Sequence, residues 1–411
     1  MTALSKRKKF VIRKAPWPQL DFPKTGFPII STNYLLDEET LPRFAKDIYC
    51  TVNIGDVFAS RYQIVAKLGY SVTSTVWLAR DLPNKEYVSL KIFTHFRSQE
   101  RPGELDVCTI LGKGNSNHSG RDYVRTACHE FKISQQGGEH WCLVQEPMCN
   151  NMRSFQARIT DRCLPLGLLK LSLKQIFAAL DYAHTECKLV HTDIKADSIF
   201  SRSNDADVWK TFVDQEILHP VPRKPGQYTV YGSHGFISPD NVGTLVLGDF
   251  GSAVRRDESH SHVIQQNPYR CPEALFHREW SYPADIWNMG VVIWDLFEGE
   301  DLFEGQRRDG SGYSTEAHLV ELIAALGPPP LQWLEGHPTF GTKFADDGEY
   351  IGDIPVAVGR SLESKECRLE GVEREEFLHF IRCMLQWKPE DRMTSKQLLD
   401  HPWLKPQNLG Y

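Results

Sequence analysis

The sequence predicts an α+β protein in two lobes, a smaller β-rich lobe with one key helix and a larger, mainly α-helical lobe. Two observations carry this. Up to Met148, apolar and β-branched residues fall in short runs that alternate or stop at turn residues. Beyond Met148, apolar residues recur at helical spacing over long stretches. A length of 411 residues suits one large two-lobed domain or two to three smaller ones.

The elements of the first lobe follow in order. "RYQIVAKLG" (Arg61 to Gly69) alternates and then meets a glycine, a strand running into a turn. "STVWLARD" (Ser74 to Asp81) and "EYVSLKIFT" (Glu86 to Thr94) are rich in β-branched and aromatic residues and read as strands. "ELDVCTIL" (Glu104 to Leu111) places Leu105, Cys108 and Leu111 on one helical face. "HWCLVQEPM" (His140 to Met148) is a further apolar strand. Residues 1–50, with Pro16, Pro18 and Pro23 close together and little periodicity, read as an extended arm. The first lobe is therefore expected over 51–148, the second over 149–404, and a short tail over 405–411.

In the second lobe, "LGLLKLSLKQIFAALDYAHTE" (Leu166 to Glu186) has helical apolar spacing. "SYPADIWNMGVVIWDLFEG" (Ser281 to Gly299) is apolar nearly all round, which predicts a buried helix. "REEFLHFIRCMLQW" (Arg374 to Trp387) and "TSKQLLDHPWL" (Thr394 to Leu404) are helical too. The polar, proline-containing tract 201–243 is longer than a compact domain needs and reads as an insertion or a partner surface.

Bulk properties exclude several classes. Lys and Arg number 47 against 53 Asp and Glu, a net charge of −6, so no strongly basic domain is present for direct nucleic-acid binding. The ten cysteines include no C-x-x-C pair, which argues against a zinc site or a disulfide framework and for reduced thiols in the cytoplasm or nucleus. The longest apolar run, Met289 to Trp294, falls far short of the roughly 20 residues that cross a bilayer. The opening "MTALSKRKKFVIRK" is basic without an acid; it fits a solvated arm or a weak nuclear or mitochondrial address.

Several short segments carry chemistry. "VSLK" ends an apolar strand in Lys91, and Glu104 follows at the start of the helix. The two could pair to aim the lysine at nucleotide phosphates; Glu104 equally suits a stabilising acid in a first helical turn. "LVHTDIKADSIF" (Leu189 to Phe200) holds His191, Asp193 and Lys195. Asp193 could take the proton of a hydroxyl, and Lys195 could neutralise charge on a transferring phosphoryl group. "LGDFGSAV" (Leu247 to Val254) offers Asp249 as a hard oxygen ligand for magnesium, and Gly251 as a residue that lets the backbone turn sharply. Cys271-Pro272-Glu273, "DIWNMG" (Asp285 to Gly290) and "PEDRMTSKQLLDHPWL" (Pro389 to Leu404) extend the ordered series, with Glu273 and Arg392 expected to form a buried ion pair.

On these segments the chain resembles the eukaryotic protein kinases, and within them it is similar to the SR-protein kinase group, especially fungal members. "HTDIK", "STVWLARD", "GDVFASRYQIVAKLG" and "LGDFGSAV" carry the likeness, which covers about Glu39 to Leu404. The resemblance implies a bilobal protein kinase fold and an ATP- and Mg2+-dependent serine/threonine kinase. It implies catalytic Asp193 and Lys195, and nucleotide contacts at Leu68, Gly69, Ser71, Val76, Lys91, Glu104, Glu146 and Met148. Asp249 and Ser198 fall at its metal positions. It further implies protein substrates rich in Arg and Ser, often splicing factors, in the cytoplasm and nucleus, with a monomeric enzyme expected. An acidic docking surface is part of the same implication; Asp295, Glu298, Glu300, Asp301 and Glu304 could form it, or could be a solvated helix end and loop.

The chain departs from the kinase pattern at several places. Ser71 replaces a glycine in the loop "LGYSVTSTV", and Ser198 stands where a metal-binding asparagine is usual. Ala196 replaces a proline, and Gln266 occupies the position of a threonine that links the catalytic pair. Gln145 precedes Glu146 and Pro147 as an unusual gatekeeper. A few kcal/mol of lost transition-state stabilisation costs about a hundredfold in rate, so a pseudokinase scaffold stands as the alternative to a working enzyme. Thr192 replaces the arginine that usually receives an activation-loop phosphate, which predicts activity independent of such a phosphate.

Overall fold

The computed structural model describes residues 15–42, 44–95, 101–135, 137–205, 207–226, 228–235, 243–256, 260–337 and 341–405. The chain forms two compact units. The first comprises Met1–Arg101, Cys128–Pro147 and Ala206–Phe236; the second comprises Pro102–Ala127, Met148–Asp205 and Ile237–Tyr411.

The first unit is built on a six-stranded sheet of β1 (Val57–Phe58), β2 (Tyr62–Tyr70), β3 (Ser74–Asp81), β4 (Glu86–Phe93), β5 (Ala127–Gln135) and β6 (Gly138–Gln145), in the order β1-β2-β3-β4-β6-β5. The strands expected from β-branched runs are all present. β5 gave no such signal because it is an edge strand whose residues, Ile133 apart, stay exposed or half-buried, so no apolar alternation marks it. Period-two alternation sorts the sheet into two faces. On one face Ile64, Ala79, Leu90 and Val144 are fully buried in the unit's core. On the other, Gly69, Val76, Lys91 and Leu143 stand in one cross-strand row.

The arm and much of the inserted tract belong to this first unit. The described residues of 15–50 form bends, turns and two short 3-10 turns, and they are docked: Leu20 and the Gln63 side chain exchange two hydrogen bonds, and Trp17 N–H donates to Leu82 O. Residues 1–14, the whole of the basic opening, lie outside the described residues. The tract 201–243 divides. Ile199–Arg202 is a strand of the second unit, whereas the helix Val208–Leu218 and the hairpin of Arg223–Lys224 with Val230–Tyr231 belong to the first. Val221 and Tyr231 enter the sheet's core, and Tyr231 meets Trp77 edge to face at 5.7 Å. Lys67 of β2, completely buried, joins arm and insertion: it pairs with Asp37 and Glu38 and donates to Tyr231 O at 2.9 Å.

The second unit is mainly helical, with Leu166–Asp181, Pro283–Glu298, Thr315–Leu326 and Gly371–Arg382 as its longest helices after residue 150. The helix Gly103–Lys113, expected with the β-rich lobe, packs here instead. Val107 and Leu111 are buried in the same core as Leu180 and Phe250, and the Tyr182 hydroxyl donates to Leu111 O at 2.6 Å. Leu166–Asp181 continues as a π-helical turn over Tyr182–Glu186, which accounts for the full length of the expected helix. Every residue from Ala284 to Phe297 is buried, as the all-round apolar sequence predicts. Arg392 and Glu273 form the expected pair through two bonds of 2.7 Å, with both side chains at most 1% exposed. No helix among the described residues is long and apolar enough to cross a membrane.

Candidate active site

In the first unit, strand register assembles the nucleotide-type residues. Gly69 lies opposite Val76, Val76 opposite Lys91, and Lys91 opposite Leu143, so the glycine-bearing turn and the lysine share one sheet face. Leu68, half-buried, follows the buried run of β2, and β2 and β3 close through the turn at Ser71. The Ser71 side chain is built into that turn: Ser71 N–H donates to Ser74 O at 2.8 Å, its Oγ lies 3.0 Å from Ser74 Oγ, and it accepts from Thr73 N–H at 3.2 Å. A serine here closes the loop on itself. Gln145 is buried, Glu146 exposed, and Ser89 Oγ donates to the carbonyls of both, at 3.3 and 3.4 Å. Met148, 7% exposed, begins the second unit.

In the second unit, one antiparallel pair gathers the remaining residues. Ile199–Arg202 runs against Thr244–Leu247, with Ile199 opposite Leu247. The segment before the first strand holds Asp193, Lys195 and Ser198; the segment after the second holds Asp249. Both therefore lie at the same end of the pair, joined by Gly248 N–H donating to Ser198 O at 2.9 Å and by His191 Nε2 within 2.9 Å of Gly248 O. Lys195 Nζ donates to Asp193 Oδ2 at 2.7 Å, and both side chains keep some exposure.

Asp285 is the brace of this loop, a role that its place in "DIWNMG" did not announce. Its carboxylate, with no exposure, accepts from His191 N–H at 2.7 Å and Thr192 N–H at 2.8 Å, and lies 2.8 Å from His184 Nε2. Those bonds hold Thr192 at φ +68, a conformation a β-branched residue rarely takes. Such strain persists only where surrounding contacts over-determine it. Asp249 is also left-handed, at φ +57. It was Gly251 that the sequence suggested for the sharp turn; the turn falls on Asp249, and Gly251 serves close approach instead. A Cβ built on Gly251 would lie 3.3 Å from Glu104 Oε2 and 3.9 Å from Asp249 Oδ1, so the buried Glu104 carboxylate sits directly against this turn.

Ser198 is fully buried. Its Oγ donates to Lys195 O at 2.8 Å and accepts from Lys195 N–H at 3.0 Å. The hydroxyl proton and one lone pair are thus committed to the loop's own backbone, which leaves a poor oxygen donor for a cation. Asp249 offers the harder ligand. Gln266 is exposed, away from the buried linking role of the threonine it replaces.

The supposed acidic patch needs one correction. Asp295 is not a surface acid: it is 3% exposed, accepts from Tyr269 Oη at 2.8 Å and Leu302 N–H at 3.0 Å, and burial pushes its carboxyl up to about 7. Burial, reinforced by Glu366, also raises Glu298 to about 7. Glu300, Asp301 and Glu304 are exposed and line a cavity of about 1490 Å³, together with Arg307, Arg308 and Arg360. Sequence reasoning also missed a chain of contacts beneath it. Arg153 lies 3.8 Å from Asp197, next to Ser198, and donates to Tyr269 Oη at 3.0 Å, which links the loop to Asp295. An arginine in a short polar helix carries no signal that would have marked it.

Comparison with known proteins matches residues 62–404 to the protein kinase domain. A serine/threonine protein kinase of Aspergillus fumigatus is 39% identical, over 99% of this chain and 100% of its own length. The serine/threonine-protein kinase SRPK of Physarum polycephalum is 27% identical over 90% of this chain and 91% of its own. The SRSF protein kinase 3 of Mus musculus is 23% identical, with 90% and 91% covered. Relatives named as kinases lend no support to a pseudokinase. A β-rich unit carrying the glycine turn and lysine, a helical unit carrying Asp193, Lys195 and Asp249, and these matches lead to one conclusion: the chain belongs to the protein kinase family, in its serine/threonine branch.

Proposed function

We propose that this kinase transfers the γ-phosphoryl group of ATP, as its Mg2+ complex, to serine in Arg/Ser-rich protein segments. The Lys195–Asp193 contact of 2.7 Å, at the strand end shared with Asp249, is the observation that carries the reading. In it, Asp193 takes the proton of the acceptor hydroxyl, and Lys195 holds Asp193 and offers positive charge beside it. Asp249 is the protein's metal ligand; Ser198 braces the loop. Leu68, Gly69, Ser71 and Val76 line the adenosine and phosphate side of the first unit, where Lys91 meets the phosphates, and Glu146 and Met148 flank the base. Glu104 orients the turn at Asp249. ATP would be the phosphoryl donor, and a metal held by Asp249 would supply charge neutralisation at its phosphates.

The Arg/Ser preference is supported by two relatives named as SRPK and SRSF protein kinases. It is also supported by the exposed Glu300, Asp301 and Glu304, which offer carboxylates to a basic segment. Action as a monomer, in cytoplasm or nucleus, belongs to the same reading.

The test is labelled-phosphate transfer from Mg-ATP to an Arg/Ser-repeat peptide and to a serine-containing control protein without Arg/Ser repeats, with Asp193→Ala and Asp249→Ala beside the native chain. Transfer to the repeat peptide that vanishes in both variants is expected. Transfer that persists in Asp193→Ala would overturn the assignment, and equal transfer to both acceptors would overturn the substrate class.

A further inference from the structure

The glycine-type turn of the first unit is held from outside by the arm. Tyr49 Oη donates to Ser71 O at 3.0 Å and lies 3.3 Å from Val72 O, sharing one proton between two consecutive carbonyls at the tip. The next carbonyl, Thr73 O, accepts from Thr94 N–H at 2.8 Å and from Thr94 Oγ1 at 3.2 Å. Thr94 follows β4, three residues beyond Lys91, and its neighbour His95 donates its N–H back to Ile48 O at 2.6 Å. Arm, turn and lysine strand thus close a ring of hydrogen bonds: Ile48 and Tyr49 to the tip, the tip to Thr94, and His95 to Ile48.

We propose that Tyr49 is a positioning residue for nucleotide binding, which orients the tip of the 68–76 turn so that the Val72 backbone amide faces the phosphates. The inference rests on the reading of that turn as the nucleotide loop. Its physical basis is the planar trans peptide, in which C=O and the following N–H point in opposite directions. Anchoring Ser71 O and Val72 O on Tyr49 turns the N–H groups of Val72 and Thr73 away from the arm. Backbone N–H groups so aligned bind anions without any charged side chain. Thr73 N–H is taken by Ser71 Oγ, so Val72 N–H is the amide this geometry presents.

The device also explains how the chain tolerates Ser71. A glycine loop is mobile and must be ordered by the ligand; here the serine closes the turn from within and Tyr49 fixes it from without. The ordering cost is met in the free protein, and affinity gains accordingly. Burial, and then the Glu38 carboxylate, push the Tyr49 phenol upward, so it stays a donor throughout the neutral range.

The experiment is steady-state phosphoryl transfer by the full chain, with ATP and an Arg/Ser-repeat peptide varied separately, for the native protein and Tyr49→Phe. Affinity for a fluorescent ADP analogue is measured on the same samples. Phenylalanine keeps the ring that packs at 5.4 Å from Phe44 and removes only the hydroxyl. Loss of about one net hydrogen bond predicts a KM for ATP, and a Kd for the analogue, raised roughly fivefold. The KM for peptide and the melting temperature stay as in the native chain. An unchanged KM and Kd would overturn the inference, as would an equal rise in the peptide KM, which would mark Tyr49 as merely structural. If the native chain transfers no phosphate, the kinase reading fails, and the analogue Kd alone then decides for or against Tyr49.

Discussion

At the residue scale, chemistry depends on which atoms are already committed. Asp193 has one charged neighbour in Lys195 and retains exposure, so it can act on a substrate; Asp193→Asn keeps the shape and removes the proton acceptor. A fall in kcat of about 10²–10⁴-fold is expected, with an unchanged melting temperature, read by steady-state kinetics and calorimetry. Ser198 is the reverse case. Ser198→Ala leaves Lys195 N–H without its partner, while Lys195 O keeps the Ser198 backbone N–H, and costs about 1–3 kcal/mol of stability in denaturant titration. A variant as stable as the native chain would refute the bracing role. Glu216 shows the effect of burial on charge. It is 1% exposed, accepts Val221 N–H through Oε1, has His234 Nε2 3.7 Å from Oε2, and desolvation pushes its carboxyl up to about 7. In the unfolded chain the same group ionises near 4.5. Between those values the folded state holds a proton that the unfolded state has released, so stability falls as pH rises from about 5 to 7 and stays lower above. Glu216→Gln removes the titration. It is expected to raise stability by ~1 kcal/mol at pH 5 and by ~2–3 kcal/mol at pH 8. Urea melts of both proteins at the two pH values check this, and a variant with the native pH dependence would point to another group.

At the element scale, the described parts of the segment between Asp249 and Glu273 are held by the protein's own bonds. Val254–Arg255 pairs antiparallel with Leu189–Val190, Arg256 N–H donates to Lys188 O, and Thr192 Oγ1 donates to Ser252 O at 2.9 Å. Further along, Gln265 bonds both ways, from Nε2 to Ala284 O and from Cys271 N–H to Oε1. A segment tied in this way has no need of a phosphate to order it, and Thr192 offers no positive charge to receive one. Phosphatase treatment is therefore expected to change the rate by less than about twofold; a collapse would mean that phosphate does the ordering. The expectation of phosphate independence comes from Thr192 in the sequence. What could not be read is the means. Hydrogen bonds donated to the Asp285 carboxylate by His191 and Thr192 N–H join residues more than ninety positions apart, and no local pattern reports such a pairing. The same holds for Tyr49 and Ser71. Strands β2, β3 and β4 were legible because period two is local; β5 was not, because an edge strand need not alternate. The helix Gly103–Lys113 was legible as a helix, but its partners in the second core depend on tertiary packing that spacing alone leaves open.

At the scale of the whole molecule, a few buried charges decide whether distant segments hold together. In the first unit Lys67 carries this role, joining Asp37 and Glu38 of the arm to β2 and to Tyr231 of the inserted tract. In the second it falls to Arg392, which pairs with Glu273 and also donates to Gln386 O and Pro283 O, tying the C-P-E segment, the buried helix and the last helical segment to one side chain. A buried pair need not stabilise relative to an apolar replacement, because desolvation offsets the attraction; removing one member is different, since the other is left charged and unpaired. Arg392→Ala is therefore expected to cost about 3–5 kcal/mol, and Glu273→Ala a similar amount. The double change Glu273→Leu with Arg392→Met removes both charges and keeps volume beside Trp287, whose ring lies 5.1 Å from the guanidinium. It should recover more than half of either single loss. Full recovery is excluded by Gln386 O and Pro283 O, which lose their donor. Chemical denaturation of the three variants and the native chain, completed as a double-mutant cycle, measures this. A double variant no more stable than the singles would mean that Arg392 acts through its carbonyl bonds and that the ion pair is incidental to the brace.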